Sequence, residues 1–395
     1  MPARDVEARF NALDAFLIEH QGLWKPRPFT HLHLPWETAH PQLAQWLRQR
    51  SLAEAEASHN QPHALQAPAP FPQLAEQAQR LSAVDKLPLQ PLKPALHRLN
   101  VEVPGRKWQQ IEAFGAALQF AQTPTHWLDW CAGKGHLGRR LLQPGQQLTC
   151  LEYDPALIAA GQALSDHHGL SARHQLQDVM ADVAINPEHT PVALHACGDL
   201  HVRLLQLATA AGCKSLALAP CCYNRINAEN YLALSAAGRA SQLQLSIEDL
   251  GLPLSETVTA GNRVRQQRDT SMARRLGFDR LQRQLRGCDD YLPTPSLPAS
   301  WLDKPFADYC QALASLKGLS TGEENWAELE AHGWRRLAEV RNLELVRGLF
   351  RRPLEMWLVL DRALFLSEQG YKVEIGTFCE STLTPRNLMV LAERD

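Results

Sequence analysis

The chain has 395 residues, of which 45% are hydrophobic and 21% charged, enough for a full core and two or three folding units and too apolar for a disordered or fibrous protein. Forty basic residues against 42 acidic ones exclude attraction of the whole surface to nucleic acid or membrane and leave only local patches. There is no basic leader before an apolar core and no apolar run of about 18 residues, and the nine cysteines are scattered as reduced thiols are; these features predict a cytoplasmic chain with no membrane partner.

Val6, Phe10, Leu13, Phe16 and Leu17 recur at helical intervals and predict an amphipathic helix over 4–19. The prolines between Leu23 and Trp36 then impose an extended path, and a second helix is expected over 42–56. His31 and His33 lack a third ligand nearby and receive no metal role. Residues 60–94 are rich in Pro, Gln and Ala, as a linker is, with a short helical pattern at 74–81. Trp108, Ile111, Phe114 and Leu118 mark a helix over 104–120 that carries Lys107 and Glu112.

The stretch His126 to Leu142 is the most informative. A short apolar run bearing Asp129 turns through Cys131, Gly133 and Gly135 into helically spaced Leu137, Leu141 and Leu142, which is a strand, a glycine turn and a helix. Glycines there let the backbone approach a ligand, and the first N–H groups of the helix face it. Counted from Cys131, the dinucleotide spacing is met at only one of its three glycine positions, Gly133. A phosphate loop fails too, with Gly135 after Lys134 where it needs Ser or Thr. What remains is Asp-x-Cys-x-Gly-x-Gly, close to the acidic glycine-rich signature of S-adenosylmethionine (SAM) enzymes with Cys131 in the first glycine's place.

A second strand from Leu148 ends in Glu152, 23 residues after Asp129, where a carboxylate can accept both ribose hydroxyls. Asp154-Pro155 reads instead as the cap and first turn of the next helix. A third strand, 173–177, ends in Asp178 and Val179, candidates for the adenine amino group and ring, against the plain alternative of a solvated loop. The fourth, 192–196, runs into Cys197, Gly198, Asp199 and a helix through Leu207; the fifth, 215–219, runs into Pro220, Cys221, Cys222, Tyr223 and Asn224. Alternating strands and helices imply a parallel sheet with right-handed crossovers.

The alternation then stops for about 130 residues, longer than a loop runs in a compact domain, so an inserted helical unit is expected. It is arginine-rich, with eight arginines between 262 and 286 and a second cluster of six from Arg335 to Arg352, read either as phosphate contacts or, slightly ahead, as helix faces paired with acids. Pro353 opens a helix through Leu366, and strands at 371–377 and 387–394 close the chain as an antiparallel hairpin. The expected architecture is α/β: a Rossmann-like class I methyltransferase sheet, parallel with a C-terminal antiparallel hairpin. Its expected segments are a helical region (1–58), a linker (59–98), the sheet domain (99–224 and 353–395) and the insert (225–352).

Taken in order, Asp129 to Gly135, His195-Ala-Cys-Gly-Asp-Leu200 and Pro220-Cys-Cys-Tyr223 resemble the methyltransferase domain of the methyltransferase-like 25 group. Lys107 and Leu252-Pro-Leu-Ser255 also match that pattern, and the resemblance covers roughly 100–260 and the last 40 residues. It implies SAM as cofactor, held by Asp129, Cys131, Gly133, Lys134, Gly135, Glu152, Asp178, Val179 and His195, and it leaves the acceptor open. The acceptor is expected beyond the fourth and fifth strands. There His195 and Asp199 are candidate bases, and Tyr223 and Asn224 candidates for orienting it. The arginine clusters put RNA, whether tRNA or rRNA, slightly ahead of protein as acceptor. A silent binding or assembly protein of the same fold is the competing class. Cys131, His195, Cys197, Cys221 and Cys222 converge as potential soft ligands, but adjacent cysteines chelate poorly and no Cys-x-x-Cys is present, so no metal is assigned.

Overall fold

The computed structural model describes residues 3–95, 99–255, 262–295 and 297–395. Contacts divide the chain into two compact units, one of residues 1–18, 80–258 and 351–395, the other of 19–79 and 259–350. These units do not follow the four segments expected from linear composition. The first helix joins the sheet unit, as does 225–255, whereas 19–79 joins the arginine-rich helices.

The sheet unit is built on seven strands: β1 (His126–Trp130), β2 (Gln147–Glu152), β3 (Ala172–Leu176), β4 (His189–Cys197), β5 (Ser215–Cys221), β6 (Lys372–Thr377) and β7 (Leu388–Glu393). Their order is β3-β2-β1-β4-β5-β7-β6. The first five pair in parallel, while β7 runs antiparallel to both β5 and β6. This is the mixed sheet expected, and its hairpin closes the edge beyond β5.

The helix Gly105–Ala117 packs with His136–Leu141, and Ile111, Phe114, Leu137 and Leu141 share one core with Val192, Ala217, Met389 and Leu391 of the strands. The helix Arg351–Glu368 lies against β6 and β7 and is buried on nearly every side, with the charged Glu355, Asp361 and Arg362 among its buried residues. The first helix, Ala3–Glu19, covers part of it: Phe10 sits 5.0 Å from Trp357, whose indole N–H donates to Asp14 at 2.8 Å. That demand for cover explains why the first helix belongs to the sheet unit. Part of the supposed linker is also structural, since the Leu87 N–H donates to the Thr377 carbonyl and Thr377 returns the bond to Asp85.

In the second unit the helix expected over 42–56 is two, Pro41–Arg48 and Leu52–Ser58. Ser51 breaks it by capping the second, its hydroxyl accepting from the Glu54 N–H at 3.2 Å while Glu54 accepts from the Ser51 N–H at 2.8 Å. The expected extended path of 23–36 holds two short turns of helix, Gln21–Trp24 and Pro35–Glu37, and the pattern at 74–81 is a longer helix, Phe71–Ser82. Phe278, Leu281, Phe306, Tyr309, Leu313 and Leu329 form a core of the arginine-rich unit. Most of its arginines meet acids or carbonyls there: Arg283 with Asp279 at 2.9 Å, Arg341 with Asp269 at 2.7 Å, Arg336 with Glu339 at 2.9 Å, Arg347 with Glu344 at 2.7 Å. Their main work is structural. No helix among the described residues is long and apolar enough to cross a membrane.

Candidate active site

In the strand order the chain moves outward from β1 to β3, then returns to place β4 on the other side of β1. Such a reversal opens a crevice at the carboxyl ends of the strands, and ligands of open α/β sheets bind there. The turns leaving β1, β4 and β5 are marked by backbone geometry. Of four non-glycine residues with positive φ among the described residues, three are Cys131 (55°), His195 (65°) and Cys222 (45°), one at each of these strand ends. Each left-handed residue costs of the order of 1–3 kcal/mol, so surrounding structure must hold it in place.

After β1 the chain passes through Cys131, Gly133 (φ 58°) and Gly135 (φ 72°) into the helix His136–Leu141. A side chain at Gly133 would project into open space, so the loop leaves room for a ligand on that side. Glu152 closes the loop from the tip of β2: its carboxylate accepts from the Gly133 N–H at 2.8 Å, and from Tyr153 and Asp154 at 2.8 and 3.0 Å. Asp154 caps the next helix through the Ala156 N–H at 2.8 Å, as its Asp-Pro sequence predicts. At the third tip Asp178 is exposed and accepts from the Met180 N–H at 2.9 Å, while Val179 is buried. Charge on Glu152, Asp129 and Asp178 acts on Cys131, and together with burial, the larger cause, pushes its thiol up to about 12. The acidic residues thus gather around the Cys131 turn.

Asp129 is buried beneath that turn and accepts from the Gly138 N–H at 2.8 Å. Burial raises its carboxyl to about 7 against the pull of that hydrogen bond and of Arg139 and Lys107. Because the folded chain binds this proton more tightly than the unfolded chain, the stability it contributes is lost as pH rises from the ordinary carboxylate range through about 7. Asp129→Asn, which can keep the Gly138 bond, is therefore expected to gain on the wild type between about pH 5.5 and 8, read as the gap in hydrogen-exchange protection of the β1 amides at each pH. A gap constant with pH would refute the buried charge.

His195 sits in a bulge of β4, where register shifts between Leu194 and Cys197 and re-aims the side chain. Its Nε2 lies 3.0 Å from Oε1 of Gln110 on the leading helix, which places the proton on Nε2 and leaves Nδ1 as an acceptor. Burial, with Arg386 and Lys107 nearby, lowers its pKa to about 4, so the ring is neutral at physiological pH. Gln110 went unrecognised in the sequence, although it lies one turn beyond Lys107 on the same helix face.

Other candidates are placed differently. Asp199 opens the helix Asp199–Ala211, and its carboxylate accepts from the Asn227 N–H at 2.8 Å. It thereby ties down the segment after β5, and it also lines a cavity of about 460 Å³ with Arg203, Asn227 and Asn230. Tyr223, expected to orient an acceptor, is 1% exposed, its ring 5.2 Å from the Arg362 guanidinium. Its position in the core gives it a packing role. Asn224 beside it is half-buried, and Lys134 lies half-buried in the glycine turn. Cys197 and Cys221 pair in register across β4 and β5 with their sulfurs 3.6 Å apart, and Cys222 completes a group of three thiols. Hydrogen bonding from Cys221, helped by Arg386 and Arg225, pulls the Cys222 thiol down to about 5, and Cys221 moves far above the ordinary range.

Comparison with known proteins matches residues 106–229 to a family model described as a methyltransferase domain. No match was found among curated proteins. Among solved structures, the chain is similar to PKMT2 from Rickettsia typhi in complex with AdoHcy, with 12% identity over 29% of this chain and 24% of that one and a TM-score of 0.22. It is also similar to a putative sarcosine dimethylglycine methyltransferase from Galdieria sulphuraria, with 14% identity over 34% and 52% of the two chains and a TM-score of 0.23. A third is the geranyl diphosphate C-methyltransferase from Streptomyces coelicolor A3(2), with 14% identity over 38% and 65% and a TM-score of 0.25. The chain spans less than two thirds of the length of each of the three. The segment that forms β1 to β5 and the turns at their ends is thus similar to a methyltransferase domain, and the sheet around it has the class I methyltransferase fold.

Proposed function

We propose that the chain is a SAM-dependent methyltransferase that binds its cofactor over the Cys131–Gly135 turn. The observation that carries this reading is Glu152, which stands at the tip of β2 and holds at 2.8 Å the Gly133 N–H of the turn that leaves β1, the strand beside the reversal of strand order. A carboxylate in that place, with Asp178 and Val179 at the next tip, suits an adenosine: acceptors for ribose hydroxyls and the adenine amine, and an apolar surface for the ring. Bound SAM supplies a methyl carbon already activated by the sulfonium, so the protein has chiefly to align an acceptor and shape the charge around it. Gly133 leaves room for the cofactor. His195, neutral and held by Gln110, presents Nδ1 to an acceptor and orients it without storing a proton.

RNA stands ahead of protein as acceptor only on the exposed Arg263 and Arg280, since arginines such as Arg283 and Arg341 are engaged in the fold. A second reading, cofactor binding without turnover, is favoured by the engagement of Asp199 with Asn227 and by the burial of Tyr223. Tritiated-methyl transfer from labelled SAM into a lysate lacking the gene, separated into RNA, protein and metabolites, tests both. Label in one fraction that His195→Ala reduces at least tenfold is the expected result. Cofactor binding with no labelled fraction supports the silent reading, and absence of binding removes both.

A further inference from the structure

We propose that the sulfurs of Cys197, Cys221 and Cys222, gathered within 4.8 Å of one another at the carboxyl ends of β4 and β5, form a site for one thiophilic divalent ion of the zinc class. The sequence argued against this because adjacent cysteines chelate one ion poorly and no Cys-x-x-Cys is present; in an extended chain such neighbours point to opposite sides. In the structure Cys221 is the last residue of β5, and the chain turns at Cys222 through a φ of 45°. That turn brings two consecutive sulfurs to one side, where Cys197 meets them from the next strand.

The dimensions fit. Zinc binds thiolates at about 2.3 Å, and a tetrahedral arrangement then separates the sulfurs by roughly 3.8 Å. The Cys197 and Cys221 sulfurs stand 3.6 Å apart, so the ion needs only small shifts. Cys221 is buried while Cys197 and Cys222 are half-buried, which leaves a path for the ion. Arg225 and Arg386 bring positive charge to the Cys222 thiol and would offset the excess negative charge of three thiolates around a dication. Simple packing explains a buried thiol singly, but it does not call for a left-handed backbone at a residue where glycine would be at ease. Three protein thiolates leave a tetrahedral ion one further position, as in zinc sites that take water or a substrate group.

This proposal does not depend on methyl transfer. The full-length chain, purified without a histidine tag from zinc-supplemented cells, is analysed for metal by mass spectrometry and for free thiols under denaturing conditions. The chelated protein is then titrated with cobalt(II). About one zinc per chain and a cobalt form with thiolate-to-metal charge-transfer absorption are expected. Both are expected to be lost in Cys197→Ser/Cys222→Ser and kept in Cys288→Ser and Cys379→Ser. A wild type with all nine thiols free that takes up neither metal overturns the site, as does metal content unchanged in the double variant. Two fewer free thiols in the wild type, with no metal bound, would assign the cluster to a disulfide and also overturn it.

Discussion

Glu152→Ala is expected to weaken binding of S-adenosylhomocysteine at least tenfold in calorimetric titration. The substitution removes two contributions together. It takes away the carboxylate proposed to accept the ribose, and it frees the Gly133 N–H that this carboxylate holds at 2.8 Å, so the glycine turn loses the restraint that shapes it. Hydrogen bonds to a charged group are worth about 1.5–3 kcal/mol, and 1.4 kcal/mol is a factor of ten in affinity. Glu152→Gln, which keeps one acceptor oxygen and loses the charge, should fall between the wild type and the alanine variant. Equal affinity in all three proteins would separate Glu152 from the cofactor, and no heat with the wild type would remove the cofactor altogether.

Asp361→Ala should cost about 3–5 kcal/mol of stability in the sheet unit, the loss seen when one partner of a buried charged network is deleted. Asp361 is fully buried on the Arg351–Glu368 helix. One carboxylate oxygen accepts from the Tyr231 hydroxyl at 2.5 Å and the Leu234 N–H at 2.9 Å, the other from the Ser235 N–H at 2.9 Å and its hydroxyl at 2.6 Å. Alanine leaves all four donors buried without an acceptor. Next to it Arg362, also buried, donates to the Tyr231 hydroxyl at 3.0 Å and to His201 at 2.7 Å and would lose the neighbouring negative charge. Hydrogen exchange of the Leu234 and Ser235 amides is the appropriate reading, because a chain of two units gives no single unfolding transition. Exchange at those amides as slow as in the wild type would show that the network is dispensable.

The five parallel strands, their helices and the closing hairpin were legible because each obeys a local rule: apolar runs of strand length, glycine at tight turns, Asp-Pro at a helix start. The place of Glu152 at the end of β2 was legible the same way. Gln110, Arg225 and Arg386 carried no such signal. They meet His195 and Cys222 only when elements far apart in sequence pack together.

Chemical identity alone therefore determined the sheet class, the glycine turn and the acidic tips, since these depend on side-chain periodicity and on backbone freedom within a few residues. Tertiary structure decided the rest. Asp199 and Tyr223 have the chemistry of catalytic groups, yet a backbone N–H from Asn227 and burial against Arg362 give them structural work. The helix Ala3–Glu19 looks like a separate leading helix and is cover for Trp357. Cys197 meets the adjacent pair Cys221 and Cys222 through a bulge in β4 and a left-handed residue after β5. Local sequence sets which conformations are cheap, but which charges and thiols face one another depends on how distant strands and helices are packed.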